Sequence, residues 1–225
     1  LSWTDKKAVE HIKQIRDIFK VKTLVETGTF KGINAELHSK NFKEVFTCEK
    51  IKDYYYKAKE RLSTYDNVFI SYSDSSEFLK RFLKIPNVLF YLDAHFYDYT
   101  LPKNKRFVVL DELKMLKGKK DSIIVIHDFD NNLGHIVYDG QSLDLNLLRN
   151  DLLKINPNFK FYTNELSSCD PVTLIEQDIK DAGLNLDADT IDNLQYAWSC
   201  PRLTYRGILY CVSKKINIEG LREIK

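Results

Sequence analysis

The sequence is poor in the residues and patterns that mark several functional classes. Glycine (8) and proline (5) are scarce among the 225 residues, and no internal repeat or low-complexity segment is visible. There are only four cysteines, Cys48, Cys169, Cys200 and Cys211, and no two form a CxxC pair. A zinc knuckle or a dithiol redox motif is therefore not expected. Cys48 and Cys211 sit inside strand-like runs, where a free thiol behaves as a small apolar side chain. Cys169 and Cys200 could pair only in an oxidising compartment, and reduced thiols in a cytoplasmic protein are the expectation. An excess of one charge is also missing, with 34 basic against 32 acidic residues and a formal net charge of +2. That is not the electrostatic footprint of a nucleic-acid binder. The local clusters Lys103-Asn-Lys105-Arg106 and Lys117-Gly-Lys119-Lys120 read as solvated loop and helix ends. No apolar run reaches transmembrane length and no signal-peptide pattern follows Leu1, so no membrane partner is expected.

What is present is a 44% hydrophobic content, enough for a core, arranged as alternating strand and helix patterns. Strands are expected at Thr23–Thr27, Val45–Glu49, Val68–Tyr72, Val88–Asp93 and Ser122–Asp128. Between them the apolar spacing turns helical. Val9, Ile12, Ile15 and Phe19 share one face, as do Tyr54, Ala58 and Leu62, then Phe78, Leu79 and Phe82, then Leu110, Leu113 and Leu116. The alternation predicts an α/β fold: a mostly parallel sheet of seven strands with helices on both faces. The runs VLFYLD and SIIVIHD are nearly continuous apolar stretches ending in acid, as central parallel strands are. Further on, Asp144–Ile155 reads as a helix, and Phe159–Thr163 and Gly207–Val212 as a strand pair. Residues 165–204 are too long for a plain loop and read as an inserted cap or lid before the last strand. The whole chain, 1–225, is taken as one domain.

In such a sheet ligands bind beyond the carboxyl ends of the strands. The first of these ends carries Glu26-Thr-Gly28-Thr29-Phe30-Lys-Gly32, whose two glycines let backbone approach a ligand. It has neither the G-x-G-x-x-G spacing of dinucleotide folds nor a P-loop ending. The second strand ends in Glu49, about twenty residues on, where a carboxylate can accept both hydroxyls of a ribose. The third is followed by Ser73-Asp74-Ser75, where Asp74 either faces a base or caps the next helix.

The segments VETGTFKG, FTCEK, YSDSSE, LFYLDAH and IIVIHDF resemble, in order, the strand-end motifs of class I S-adenosylmethionine-dependent methyltransferases. The resemblance covers roughly residues 20–130, and the LDAH and HDF ends are similar to a branch containing macrocin-type sugar O-methyltransferases. It implies S-adenosylmethionine cradled by Gly28, Thr29, Phe30 and Gly32, with Glu26 near the methionine amino group and Glu49 on the ribose. Asp74 and Ser75 would border the adenine, and Asp93 would stand beside the reactive methyl. The implied partner is a small hydroxylated acceptor such as a sugar.

A hydroxyl acceptor needs a base or a divalent cation to lose its proton. Asp93, His95, His127, Asp128 and Asp130 are the candidates, at the ends of adjacent strands. Strand alternation sets Asp93 and His95 on one side, and His127 opposite to Asp128. Histidine is the expected base. The resembling enzymes bind magnesium through acids at these ends, so two histidines there favour manganese, iron or zinc if a metal binds at all. His11 and His38 read as surface helix positions, and His135 as a loop residue. Phe96-Tyr-Asp-Tyr99 reads as an acceptor wall or a loop anchor, and any oligomer contact is expected from 165–204. Two other readings stay open. One is an iron oxygenase of the cephalosporin-hydroxylase type; the other is a non-catalytic binding domain whose cleft Phe30 or Phe96 fills.

Overall fold

The computed structural model describes residues 6–94, 107–133, 142–165 and 207–225. Helices and strands alternate as α1 (Lys6–Phe19), β1 (Thr23–Thr27), α2 (Ile33–Ser39), β2 (Glu44–Glu49), α3 (Lys52–Leu62), β3 (Val68–Tyr72), α4 (Ser75–Leu79) and β4 (Val88–Leu92). They continue as α5 (Val108–Met115), β5 (Ile123–Ile126), α6 (Leu145–Ile155), β6 (Lys160–Asn164), β7 (Leu209–Val212) and β8 (Leu221–Ile224). One sheet runs in the order β3-β2-β1-β4-β5-β7-β6-β8. The pairs from β3 through β5 are parallel; β7 pairs antiparallel with β5 and β6, and β8 pairs antiparallel with β6.

Two cores follow from strand alternation. Leu24, Val45, Leu89, Tyr91 and Val125 face α1, α2 and α3, whose Ile12, Ile15, Ala35, Ala58 and Leu62 meet them. Val25, Cys48, Phe90, Leu92 and Ile124 face the opposite way, onto Phe78, Leu113, Leu148 and Leu152 of α4, α5 and α6. Burial on both faces explains the unbroken apolar runs of β4 and β5, all of whose residues are buried. Each large aliphatic side chain so buried contributes roughly 1.5–3 kcal/mol of transfer free energy, the main term holding the layers together. Helix α6 starts where Asp144 accepts a hydrogen bond from the Leu147 N–H, 2.9 Å.

The structure corrects the expected sheet. It has eight strands, not seven, and three of them form an antiparallel flank. The extra strand β8 reads Leu-Arg-Glu-Ile, with both charged residues exposed. Its two apolar residues lie three apart and show no alternation, because an edge strand gains its order from one neighbour. The strand after 165–204 is therefore the seventh of eight. His38 is corrected too: it is fully buried, its ring 5.8 Å from Phe42 and 6.0 Å from Tyr91. Helix α2 is only seven residues long, so spacing alone gave no inner face to assign. The 165–204 insertion beyond Glu165, together with His135, Cys169 and Cys200, lies outside the described residues. Its two roots are defined: the Ile208 N–H donates to Asn164 Oδ1 (2.7 Å), and the Thr163 hydroxyl donates to the Ile208 carbonyl (2.8 Å).

His11, read from sequence as a surface residue, is buried where α1 meets the C-terminal flank. Its Nε2 lies 3.2 Å from the Glu219 carbonyl and its Nδ1 3.4 Å from the Tyr210 hydroxyl. A carbonyl can only accept, so Nε2 carries the proton and the Tyr210 hydroxyl donates to Nδ1. Burial holds the His11 pKa below its ordinary 6.5, while the Glu219 carbonyl pulls it back upward. The unfolded chain then binds a proton that the folded chain resists, so stability should fall as pH drops below about 6.5. The H11Q variant, which keeps a donor for the Glu219 carbonyl, should lose that part of the slope in urea titrations at pH 5.5–7.5.

Candidate active site

The strand order reverses between β1 and β4, which are parallel neighbours, and the turn after β1 lies at that switch point. Gly28 and Gly32 have φ of +81° and +83°, in the left-handed region that glycine adopts without cost. Sterics add a second reason at Gly28, where a Cβ would stand 2.5 Å from the carbonyl oxygen of Asp93. The Gly28 and Thr29 N–H groups both donate to the Cys48 carbonyl, 3.0 Å, closing the turn over β2. Phe30 is also left-handed, with φ of 50°. This conformation is unusual for a bulky residue and turns its N–H toward Glu49.

Glu49 is buried and doubly held. Its Oε2 accepts from the Phe30 N–H (2.8 Å) and its Oε1 from the Ile51 N–H (2.7 Å). Each oxygen keeps a further lone pair, so the carboxylate can still accept from a diol. Glu26 is almost fully buried on the α1–α3 side, accepting from Asn34 Nδ2 (2.6 Å) and from the Thr47 hydroxyl. Burial pushes its pKa up to about 7; the Thr47 and Asn34 hydrogen bonds act against that rise, and Asp93 and Glu49 add to it. Asp74 serves as the cap of α4, accepting from the Ser76 N–H at 3.0 Å. Ser75 is buried beside it.

At the far side of the turn three side chains converge. His127 Nδ1 lies 3.0 Å from Asp93 Oδ1 and 3.2 Å from Asp128 Oδ1. The expected opposition of His127 and Asp128 is thus corrected. Strand β5 ends at Ile126, and Asp128 takes a left-handed φ of 55°, which swings its carboxylate back toward His127. Alternation holds only while the strand lasts. A non-glycine residue there costs roughly 1–2 kcal/mol, less for Asp than for most, and such strain gathers at functional sites. Asp130 stands apart: its Oδ1 accepts from the Asn132 N–H (2.9 Å) in its own turn. His95 and Phe96 lie outside the described residues. Phe30 packs edge-on against Tyr54 at 4.5 Å between ring centres.

Sequence reading missed Asn34, Thr47 and Glu112. The first two hold Glu26 from α2 and β2. Glu112 is fully buried on α5, where burial pushes its pKa up to about 7, against the pull of the Ser75 and Thr27 hydroxyls. Its signal was weak: of the two adjacent acids Asp111 and Glu112, the second falls three residues after Val109, on the apolar face of the helix.

No family model matches the chain. It is 31% identical over 84 residues to the protein-L-isoaspartate O-methyltransferase of Helicobacter pylori, a match covering 36% of this chain and 40% of that protein. The match thus spans less than half the length of that relative. Among solved structures, an O-methyltransferase from Bacillus cereus in complex with SAH superposes with a TM-score of 0.54 at 14% identity, covering 92% of this chain and 80% of the other. A candidate sarcosine dimethylglycine methyltransferase from Galdieria sulphuraria gives 0.55 at 16% identity, covering 93% and 86%. At these identities the likeness is one of fold: the chain has the α/β fold of S-adenosylmethionine-dependent methyltransferases.

Gly28 should be the least replaceable position of the turn. G28A is expected to lower the unfolding free energy by at least about 1–2 kcal/mol, from left-handed backbone alone. Displacement of the Asp93 carbonyl should add to this. An unchanged denaturation midpoint would contradict the close approach.

Proposed function

We propose that the chain is an S-adenosylmethionine-dependent methyltransferase acting on a hydroxyl of a small acceptor, with a sugar or glycoconjugate as the acceptor class. The observation that carries this reading is the Glu49 carboxylate, pinned by two backbone N–H groups across the Gly28–Gly32 turn at the sheet's switch point. The complex of the Bacillus cereus protein with SAH supports the same cofactor here. The residues fit the group: each Glu49 oxygen keeps a lone pair for a diol, and Glu26 offers a buried carboxylate to an ammonium. Glu49 would take the ribose hydroxyls, and Asp74 and Ser75 would border the adenine. The cofactor would supply a methyl group already activated on a sulfonium.

The chain's own task is to hold the acceptor and remove its proton. With Nδ1 3.0 Å from Asp93 Oδ1, a proton held there would leave the His127 lone pair on Nε2, the atom that would receive the acceptor proton. Asp93 and Asp128 would then stabilise the imidazolium. His95 remains a second candidate base in this reading.

A second reading keeps this site and adds a divalent cation. Asp93, His127 and Asp128 each offer one ligand atom, all within 4.8 Å of one another. One imidazole and two carboxylates suit manganese, iron or zinc better than magnesium. The cation would lower the acceptor hydroxyl's pKa. Turnover that survives EDTA favours the base, and turnover restored by added manganese favours the metal. Tightly bound iron without methyl transfer would point to the oxygenase.

Calorimetry with S-adenosylhomocysteine tests the cofactor reading. The wild type should bind, and E49A should bind about 10–100-fold more weakly, the usual cost of losing a charged acceptor. No binding by the wild type would end the proposal. Affinity should rise with pH through about 7, because Glu26 must lose its proton to meet an ammonium. The cofactor-free fold should become less stable over the interval from 4.5 to about 7, where folded Glu26 holds a proton that the unfolded chain has released. Both trends should disappear in E26Q. Once an acceptor is found, H127Q should lower kcat about 100-fold or more with little change in cofactor affinity.

A further inference from the structure

Among the described residues, Glu112 is the one fully buried carboxyl that the proposed chemistry leaves unused. It sits on α5, on the face of the sheet opposite Glu26, at 0% exposure. Its helix neighbours Val109 and Leu113 belong to the apolar core. A carboxyl in that setting costs free energy that a Leu or Met would not, so packing does not explain it. Neither of its oxygens meets a donor with full hydrogen-bond geometry, a state that is rare for a buried group and calls for a reason.

Its surroundings supply one. The carboxyl lies beside the hydroxyls of Thr27 and Ser75. Thr27 is the last residue of β1, immediately before Gly28. Its Oγ1 accepts from the Asp93 N–H at 3.3 Å, and its carbonyl accepts from the same N–H at 3.1 Å. Ser75 is the first residue of α4. One buried group therefore touches both the strand end that carries the glycine turn and the helix start that borders the adenine position. Through Thr27 it reaches the backbone of Asp93.

We propose that Glu112 is a positioning residue for the cofactor pocket, setting the Thr27 and Ser75 hydroxyls and, through Thr27, the end of β4. It touches neither cofactor nor acceptor. The proposal rests on the cofactor reading above, and its test separates the two. The charged and titratable groups near it are Asp93 and Asp74, with Cys48 on the adjoining strand. A neutral amide of the same shape should therefore serve as well as the acid.

The test compares wild type, E112M and E112Q for S-adenosylhomocysteine affinity by calorimetry and for thermal stability. E112M should keep or raise Tm while weakening binding about tenfold, a coupling of ordinary size for residues sharing a network. E112Q should stay within about threefold of wild type, since it restores polar partners for both hydroxyls. A merely structural role predicts the reverse, a lower Tm in E112M with affinity per folded molecule unchanged, and that result overturns the proposal. If E112M does not fold, a T27V/S75A double-mutant cycle decides, since Glu112 is what would couple the two hydroxyls. Non-additive losses in affinity support the link, and additive ones overturn it. Failure of the wild type to bind would refute the cofactor reading instead.

Discussion

The contact of Gly28 with the backbone of Asp93 is the constraint from which the rest of the site follows. Strands β1 and β4 are neighbours by register, Thr27 beside Leu92, and their extensions remain in contact after the pairing ends. Any side chain at position 28 would force them apart. Held together, they bring the turn of β1, the acid of β4 and His127 after β5 to one rim. The left-handed conformations of Phe30 and Asp128 are the local backbone cost of that convergence.

The rim is rich in acids at different degrees of burial. Glu49 is satisfied by backbone donors, Glu26 by an amide and a hydroxyl, and Asp93 faces an imidazole. Glu112 lies behind them in the core. Burial raises the pKa of Glu26 and Glu112, their acidic neighbours add to the rise, and such a field favours a ligand bearing positive charge. A sulfonium-bearing nucleoside with an ammonium group, the cofactor proposed above, would answer that field.

Much of this was legible beforehand because parallel strands buried on both faces leave unbroken apolar runs. The β1 to β5 strands, the glycine turn and the acids after them were read from that pattern. Features set by three-dimensional packing were not. Strand β8 carries two apolar residues and borrows its order from β6. His38 is buried on α2 against Phe42 and Tyr91, which no spacing over seven residues reveals. Asp128 joins His127 through one backbone angle, and a dihedral leaves no trace in composition. Glu112 resembles any helix acid until α4 and β1 are seen to close over it.

The roots of the 165–204 segment bear on how such a protein diversifies. Strand β6 runs parallel to β5 and β7 antiparallel to it, so the chain departs after Asn164 and returns at Gly207 on the same rim as the glycine turn. The Asn164–Ile208 and Thr163–Ile208 bonds fasten that neck within the sheet, independent of what lies between. With its ends already held, doubling the segment's length would add only about 0.6 kcal/mol of closure entropy. Natural variation could therefore exchange this stretch as a cassette while the strands at its roots stay the same.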